Sequence, residues 1–222
     1  MKKITYENNF TYLSIGLITF LFSAAIVKDF PNTWGEDIFS FVSILMLMVS
    51  IKSMKTEIAW KGMVYVLIAL LVVFIMISKF FVLPAIPYLM LLVLFFFFMG
   101  SFNSSYKKIL FEGKVDKNKI VGSISLYLLL GLVWTVVYLL LLQIDPYAFS
   151  GIEAATWQEN FSTVAYYSFV TLTTLGYGDI LPKSHLAEFF AYMEAIIGVF
   201  YMAIIVATLI SLGISRIDQK DS

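Results

Sequence analysis

The sequence predicts an all-α membrane protein with six transmembrane helices, and three observations carry that expectation. Hydrophobic residues make up 60% of the chain and charged ones 14%, against about half and about a quarter in soluble domains. The apolar residues are gathered into long blocks, with a mean hydropathy of +0.89, as bilayer-crossing helices require. Lysines concentrate in alternate gaps between those blocks.

The blocks read, in order, as spans over 10–27, 38–54, 62–78, 83–102, 122–142 and 186–212. Each is close to the ~20 residues needed to cross the hydrocarbon as a helix. Helix is the state in which such a run satisfies its own backbone hydrogen bonds in lipid. Pro84 and Pro87 stand at the start of the fourth span, where missing backbone donors are tolerated. The first span has a rival reading. Lys2 and Lys3, an apolar stretch and the small residues Ser23, Ala24 and Ala25 also resemble a secretory leader.

The formal net charge of zero hides a segregation. Lys2 and Lys3 precede the first span, and Lys52, Lys55 and Lys61 lie between the second and third. Lys107, Lys108, Lys114, Lys117 and Lys119 lie between the fourth and fifth, and Arg216 and Lys220 follow the sixth. The other gaps hold only Lys28, Lys79 and Lys183, beside acids such as Asp29, Glu36, Asp37, Asp145, Glu153 and Glu159. Cytoplasmic loops carry the excess of Lys and Arg. Both termini are therefore expected in the cytoplasm of a cell-membrane protein, with the segment between spans five and six outside.

The chain has no cysteine and one histidine, His185, so disulfides and thiolate sites are excluded and zinc chemistry is improbable. No constellation of nucleophile, base and metal ligands suggests an enzyme, and nothing suggests a nucleic-acid partner.

Between the last two spans lies FSTVAYYSFVTLTTLGYGD, residues 161–179. It is too short to cross and return as two helices, so a re-entrant segment is expected, helix inward and extended strand outward. Non-helical backbone at that depth needs protein or a water-filled pore around it. Gly176 and Gly178 can take backbone angles closed to residues with side chains. Alternating them with ordinary residues lets successive carbonyls of Thr174, Leu175, Gly176, Tyr177 and Gly178 point towards one axis, with the Thr174 hydroxyl adding an oxygen at the inner end. Four such strands give stacked oxygen rings able to replace the hydration shell of a potassium ion. Tyr177 would point away from the axis and brace the ring against the helix.

Residues 171–179, TLTTLGYGD, resemble the signature of tetrameric potassium channels, and the likeness runs from the fifth span through the sixth. It implies a selectivity filter at Thr174 to Gly178, with K+ at Thr174, Leu175, Gly176 and Tyr177, and no other cofactor. One filter per chain implies a homotetramer. It also implies a pore domain over 122–215; the spans and charges then leave a four-helix sensor-like domain lacking gating charges over 1–102, a basic cytoplasmic linker over 103–121 and a short cytoplasmic tail over 216–222. Leu175 stands where many relatives have valine. Val170 stands where some carry a glutamate paired with the filter aspartate, so Asp179 needs another partner, Tyr166 or Tyr167.

In the sixth span, Gly198 stands where related channels have a hinge glycine. Close helix packing is the equal alternative, since small residues favour it in membranes. Val199, Met202, Val206 and Ile210 share one helical face and would line a cavity able to close by dewetting. Glu194 is the one carboxylate well inside a span, where charge is costly. A hydrogen bond to Ser168 or Thr171 is the first reading, and protonation-controlled gating the second. His185 at the outer mouth reads as a solvated loop residue, with sensing of external acidity as the alternative.

The fourth span carries no charge and the only arginine is Arg216, so voltage sensing by charges in that helix is not expected. With ten residues after Leu212, a cytoplasmic ligand-binding domain is not expected. Tyr106, Ile109 and Leu110 recur at helical spacing beside the five lysines of the linker. This suggests an interfacial helix on anionic lipid, or a basic linker whose side chains merely snorkel.

Overall fold

The computed structural model describes residues 9–27, 33–53, 58–111 and 117–218. The elements run α1 (Asn9–Val27), α2 (Thr33–Ser53), α3 (Ile58–Phe80), α4 (Ala85–Phe111), α5 (Lys117–Ile144), β1 (Phe149–Ser150), α6 (Trp157–Leu172), β2 (Leu181–Pro182) and α7 (His185–Asp218). Among the described residues, four helical stretches are long and apolar enough to cross a membrane: Trp60–Phe80, Ala85–Ile109, Asn118–Ile144 and His185–Ile205. The apolar stretches described in α1 and α2, Phe10–Ile26 and Asp37–Met48, are shorter. Polar Thr33, Glu36 and Asp37 begin α2 five residues before the expected start of its span.

The helices pack through an aromatic centre. Phe161 of α6 meets Phe39 of α2 at 4.9 Å and Phe20 of α1 at 5.2 Å between ring centroids. Phe20 also meets Phe98 of α4 at 6.1 Å, and all four rings are almost fully buried. Such contacts add about 0.5–1.5 kcal/mol each beyond area burial. The N-terminal helices are thus joined directly to α6. Polar ties join α1 to α5, where Ser14 Oγ lies 2.6 Å from Ser125 Oγ and the Phe10 N–H donates to Asn118 Oδ1 at 3.1 Å. By contrast, α3 turns Met63, Tyr65, Val66, Val73 and Met76 outward, an apolar surface suited to lipid.

Two boundaries differ from expectation. Within the basic linker expected over 103–121, α4 continues to Phe111 and α5 begins at Lys117. Ile109 is buried and approaches Gly122 of α5, so it does not share an exposed face with Tyr106, which stacks on Phe102 at 6.0 Å. Lys119 is also buried. The Leu110 side chain and Lys114 lie outside the described residues. Likewise the tail expected from 216 begins inside α7, which runs on to Asp218.

Candidate functional site

The segment after α6 is held at both ends. A capping box starts the helix: Thr156 Oγ1 accepts from the Glu159 N–H at 3.4 Å, and Glu159 Oε2 accepts from the Thr156 N–H at 3.2 Å. These satisfy donors that a helix start otherwise leaves unpaired. At the far end, the Thr173 N–H donates to the Phe169 carbonyl at 3.0 Å, and the Leu175 N–H reaches back to Val170 at 2.9 Å. The chain then leaves helical geometry, and the antiparallel pair of β1 with β2, Phe149 opposite Pro182 and Ser150 opposite Leu181, secures its return.

Between these anchors the backbone alternates. Thr174, Gly176 and Gly178 have φ of 60°, 54° and 79°, and Leu175 and Tyr177 between them are not in the positive region. For glycine this is ordinary. For β-branched Thr174 it is a strained conformation, which persists only where the surroundings impose it. Alternating handedness turns successive peptide planes so that their carbonyls can face one side. The negative end of the α6 macrodipole falls where this segment begins, which favours a cation there. Residues 173–179 are all exposed in the single chain. Among the described residues no group of three His, Cys, Asp or Glu side chains forms, so the oxygens this segment offers are backbone carbonyls and hydroxyls.

Asp179 is partnered by Tyr166, whose hydroxyl donates to Oδ2 at 2.8 Å. The Tyr166 ring stacks on Tyr177 at 6.4 Å and 9°. Tyr167 points the other way, buried against Tyr138 at 5.1 Å and Phe149 at 5.3 Å. Of the two tyrosines expected beside the segment, only Tyr166 touches it; consecutive residues on a helix face different sides.

On α7, Glu194 is fully buried. The Tyr138 hydroxyl donates to its Oε2 at 2.5 Å, and Oε1 lies 2.6 Å from Ser168 Oγ. Ser168 Oγ is also 2.8 Å from the Gly131 carbonyl. Gly198 packs on the end of α6, where a Cβ would collide with the Leu172 carbonyl oxygen; this geometry favours close packing over a hinge. Val199 and Met202 are 56% and 52% exposed. The side chains of Val206 and Ile210 lie outside the described residues. His185 is fully exposed, with Nδ1 3.4 Å from Glu188 Oε2.

Sequence reasoning missed Tyr138, the Gly131 carbonyl and the capping box. The box was legible as Thr156 followed three residues later by Glu159. Tyr138 offered no signal beyond being one aromatic among many in an apolar helix.

Residues 124–214, from early in α5 to the last turns of α7, match the model of a family described as ion channel. This part of the chain is similar to an ion channel domain. The match covers most of α5, β1, α6, the 173–180 segment, β2 and most of α7, and together with the apolar helices it points to a membrane protein with an ion channel function. Neither a curated protein nor a solved structure matches the chain.

Proposed function

We propose that this chain is one subunit of a homotetrameric, potassium-selective channel with six transmembrane helices, both termini in the cytoplasm and α6 re-entrant from the outer side. The observation that carries the reading is the alternating backbone from Thr174 to Gly178, with positive φ at each alternate residue. Placed four times around an axis, it stacks carbonyl rings of Thr174, Leu175, Gly176 and Tyr177, with the Thr174 hydroxyl below, to replace the water around K+. K+ is the transported ion, held by main-chain oxygen, and no catalytic step is involved.

Assembly accounts for what the single chain leaves open. Leu175 and Tyr177 are 55% and 66% exposed, at a depth where neighbouring copies would cover them. Val199 and Met202 on the open face of α7 would line the cavity below, with Val206 and Ile210 continuing it. Asp179, tied to Tyr166, steadies the outer mouth. Lys107 and Lys108, at the cytoplasmic end of α4, would meet anionic lipid.

The test is the reversal potential of purified protein in planar bilayers with potassium and sodium on opposite sides. Reversal near the potassium equilibrium potential, abolished by Gly176→Ala, is expected, because alanine in a left-handed conformation costs roughly 1–2 kcal/mol in each subunit. Reversal near zero would replace the reading with a general cation pore. Silence from intact tetramers would favour a non-conducting subunit.

A further inference from the structure

We propose that Glu194 is a neutral carboxylic acid that relays hydrogen bonds from α5 to α6, and that this relay positions the end of α6 from which the 174–178 segment extends. The positioning role rests on the channel reading; the protonation of Glu194 does not.

The argument is a count of protons. Four short oxygen pairs meet here, and one of them, the Thr135 hydroxyl on the Gly131 carbonyl at 2.7 Å, brings its own proton. The other three are the Tyr138 hydroxyl with Glu194 Oε2 at 2.5 Å, Glu194 Oε1 with Ser168 Oγ at 2.6 Å, and Ser168 Oγ with the Gly131 carbonyl at 2.8 Å. Each needs one proton. Tyr138 and Ser168 carry one each, and a main-chain carbonyl carries none. If Glu194 were ionised, Ser168 could satisfy Oε1 or the Gly131 carbonyl, and two bare oxygens would face each other across the remaining contact. With a proton on Oε1 the chain closes. Tyr138 donates to Oε2, Oε1 donates to Ser168, and Ser168 donates to Gly131.

The surroundings agree. From α5, Tyr138 meets the carboxyl and the Tyr127 hydroxyl ends on the Leu172 carbonyl, and from α6 Tyr167 packs on Tyr138; none of these phenols brings a cation. From β2, Leu181 and Pro182 carry no titratable group. Among the described residues ion pairs join Lys79 to Asp37 and His185 to Glu188, and neither reaches Glu194. A carboxylate without a cation, fully buried at membrane depth, is unfavourable.

The relay also fixes a register. Ser168 meets Glu194, and one turn further along both helices Leu172 meets Gly198. These two contacts, four residues apart on each partner, hold α6 against α7 immediately before Thr173 and Thr174 depart.

The test uses the full chain in lipid nanodiscs and bilayers. Infrared spectra at neutral pH are expected to show the carbonyl band of a protonated acid, absent from Glu194→Gln. Glutamine presents a donor and an acceptor where the neutral acid does, so this variant is expected to keep the melting temperature and potassium selectivity of the parent. Glu194→Ala leaves the Tyr138 hydroxyl without its acceptor, while Ser168 keeps the Gly131 carbonyl, and is expected to lose roughly tenfold of the conducting population, the order set by one buried polar group without a partner. No acid band in the parent, or a Glu194→Gln variant as damaged as Glu194→Ala, would overturn the relay. A band present, with glutamine tolerated and no current from any variant, would uphold the relay and sink the channel reading.

Discussion

Replacing Gly198 by alanine separates two roles for that residue, because they predict opposite signs of stability change. A β-carbon at 198 would collide with the Leu172 carbonyl oxygen and come within 3.1 Å of both its carbonyl carbon and Cδ1. The obstacle is the backbone of the last residue of α6, which cannot rotate aside as a flexible side chain can. Overpacking typically costs about 1–3 kcal/mol, and a backbone clash belongs in its upper part. Alanine offsets about 1 kcal/mol of this by its better helix propensity. The net expectation is a loss of about 1–2 kcal/mol per chain. Thermal unfolding in detergent, followed by tryptophan fluorescence, measures it, and Gly198→Val should lower the melting temperature further in proportion to its volume. If Gly198→Ala melts at or above the parent while its opening kinetics slow, the close contact is not what this glycine provides, and the hinge reading stands instead.

Thr156→Ala removes the hydroxyl of the capping box and is expected to destabilise the start of α6 by about 1 kcal/mol. Hydrogen exchange over residues 157–160 should accelerate while exchange near Leu172 does not. Tyr166→Phe deletes the donor to Asp179 but leaves a ring to stack on Tyr177. Steady potassium current during prolonged recording is expected to decline faster at unchanged single-channel conductance. Asp179→Asn keeps an acceptor oxygen and should decline less, and equal behaviour of parent and Tyr166→Phe would show that the bond does not steady the outer mouth.

Much of this arrangement was legible because it follows from local rules. The helices came from long apolar runs, and the sharp departure after α6 from two glycines spaced around a tyrosine. Glu194 was identified as needing a partner because an acid inside an apolar helix must find one, and Ser168 is among the hydroxyls α6 offers it. What was illegible depended on contacts distant in sequence. Tyr138 lies 56 positions from Glu194, and no pattern within α5 marks which of its faces meets α7. The choice of Tyr166 over Tyr167 for Asp179 depends on helix rotation, which adjacent aromatic residues do not reveal. The continuation of α4 to Phe111 was hidden because lysines suggested an end, although lysine is a good helix former and hydropathy falls before the helix does.

The four N-terminal helices lead to a prediction about voltage. From Ala85 to Tyr106, α4 contains no charged residue. At the neighbouring helix ends, Lys79 and Asp37 form a pair at 2.9 Å, so their joint displacement would carry no net charge across the membrane. An elementary charge crossing the full field is worth ~2.3 kcal/mol per 100 mV, and a helix without charge takes none of it. On the channel reading, potassium conductance in symmetric solutions should therefore vary with voltage by the equivalent of less than about one charge per subunit. Lys79→Met should leave that slope unchanged, although it separates the pair. A steep conductance–voltage curve in the parent would require charges to move elsewhere, and Lys107 and Lys108 at the inner end of α4 would be the first to neutralise. A curve that steepens only in Lys79→Met would instead show that Asp37 moves through the field once its partner is gone, making the pair a lock on charge and not a passive contact between α2 and α3.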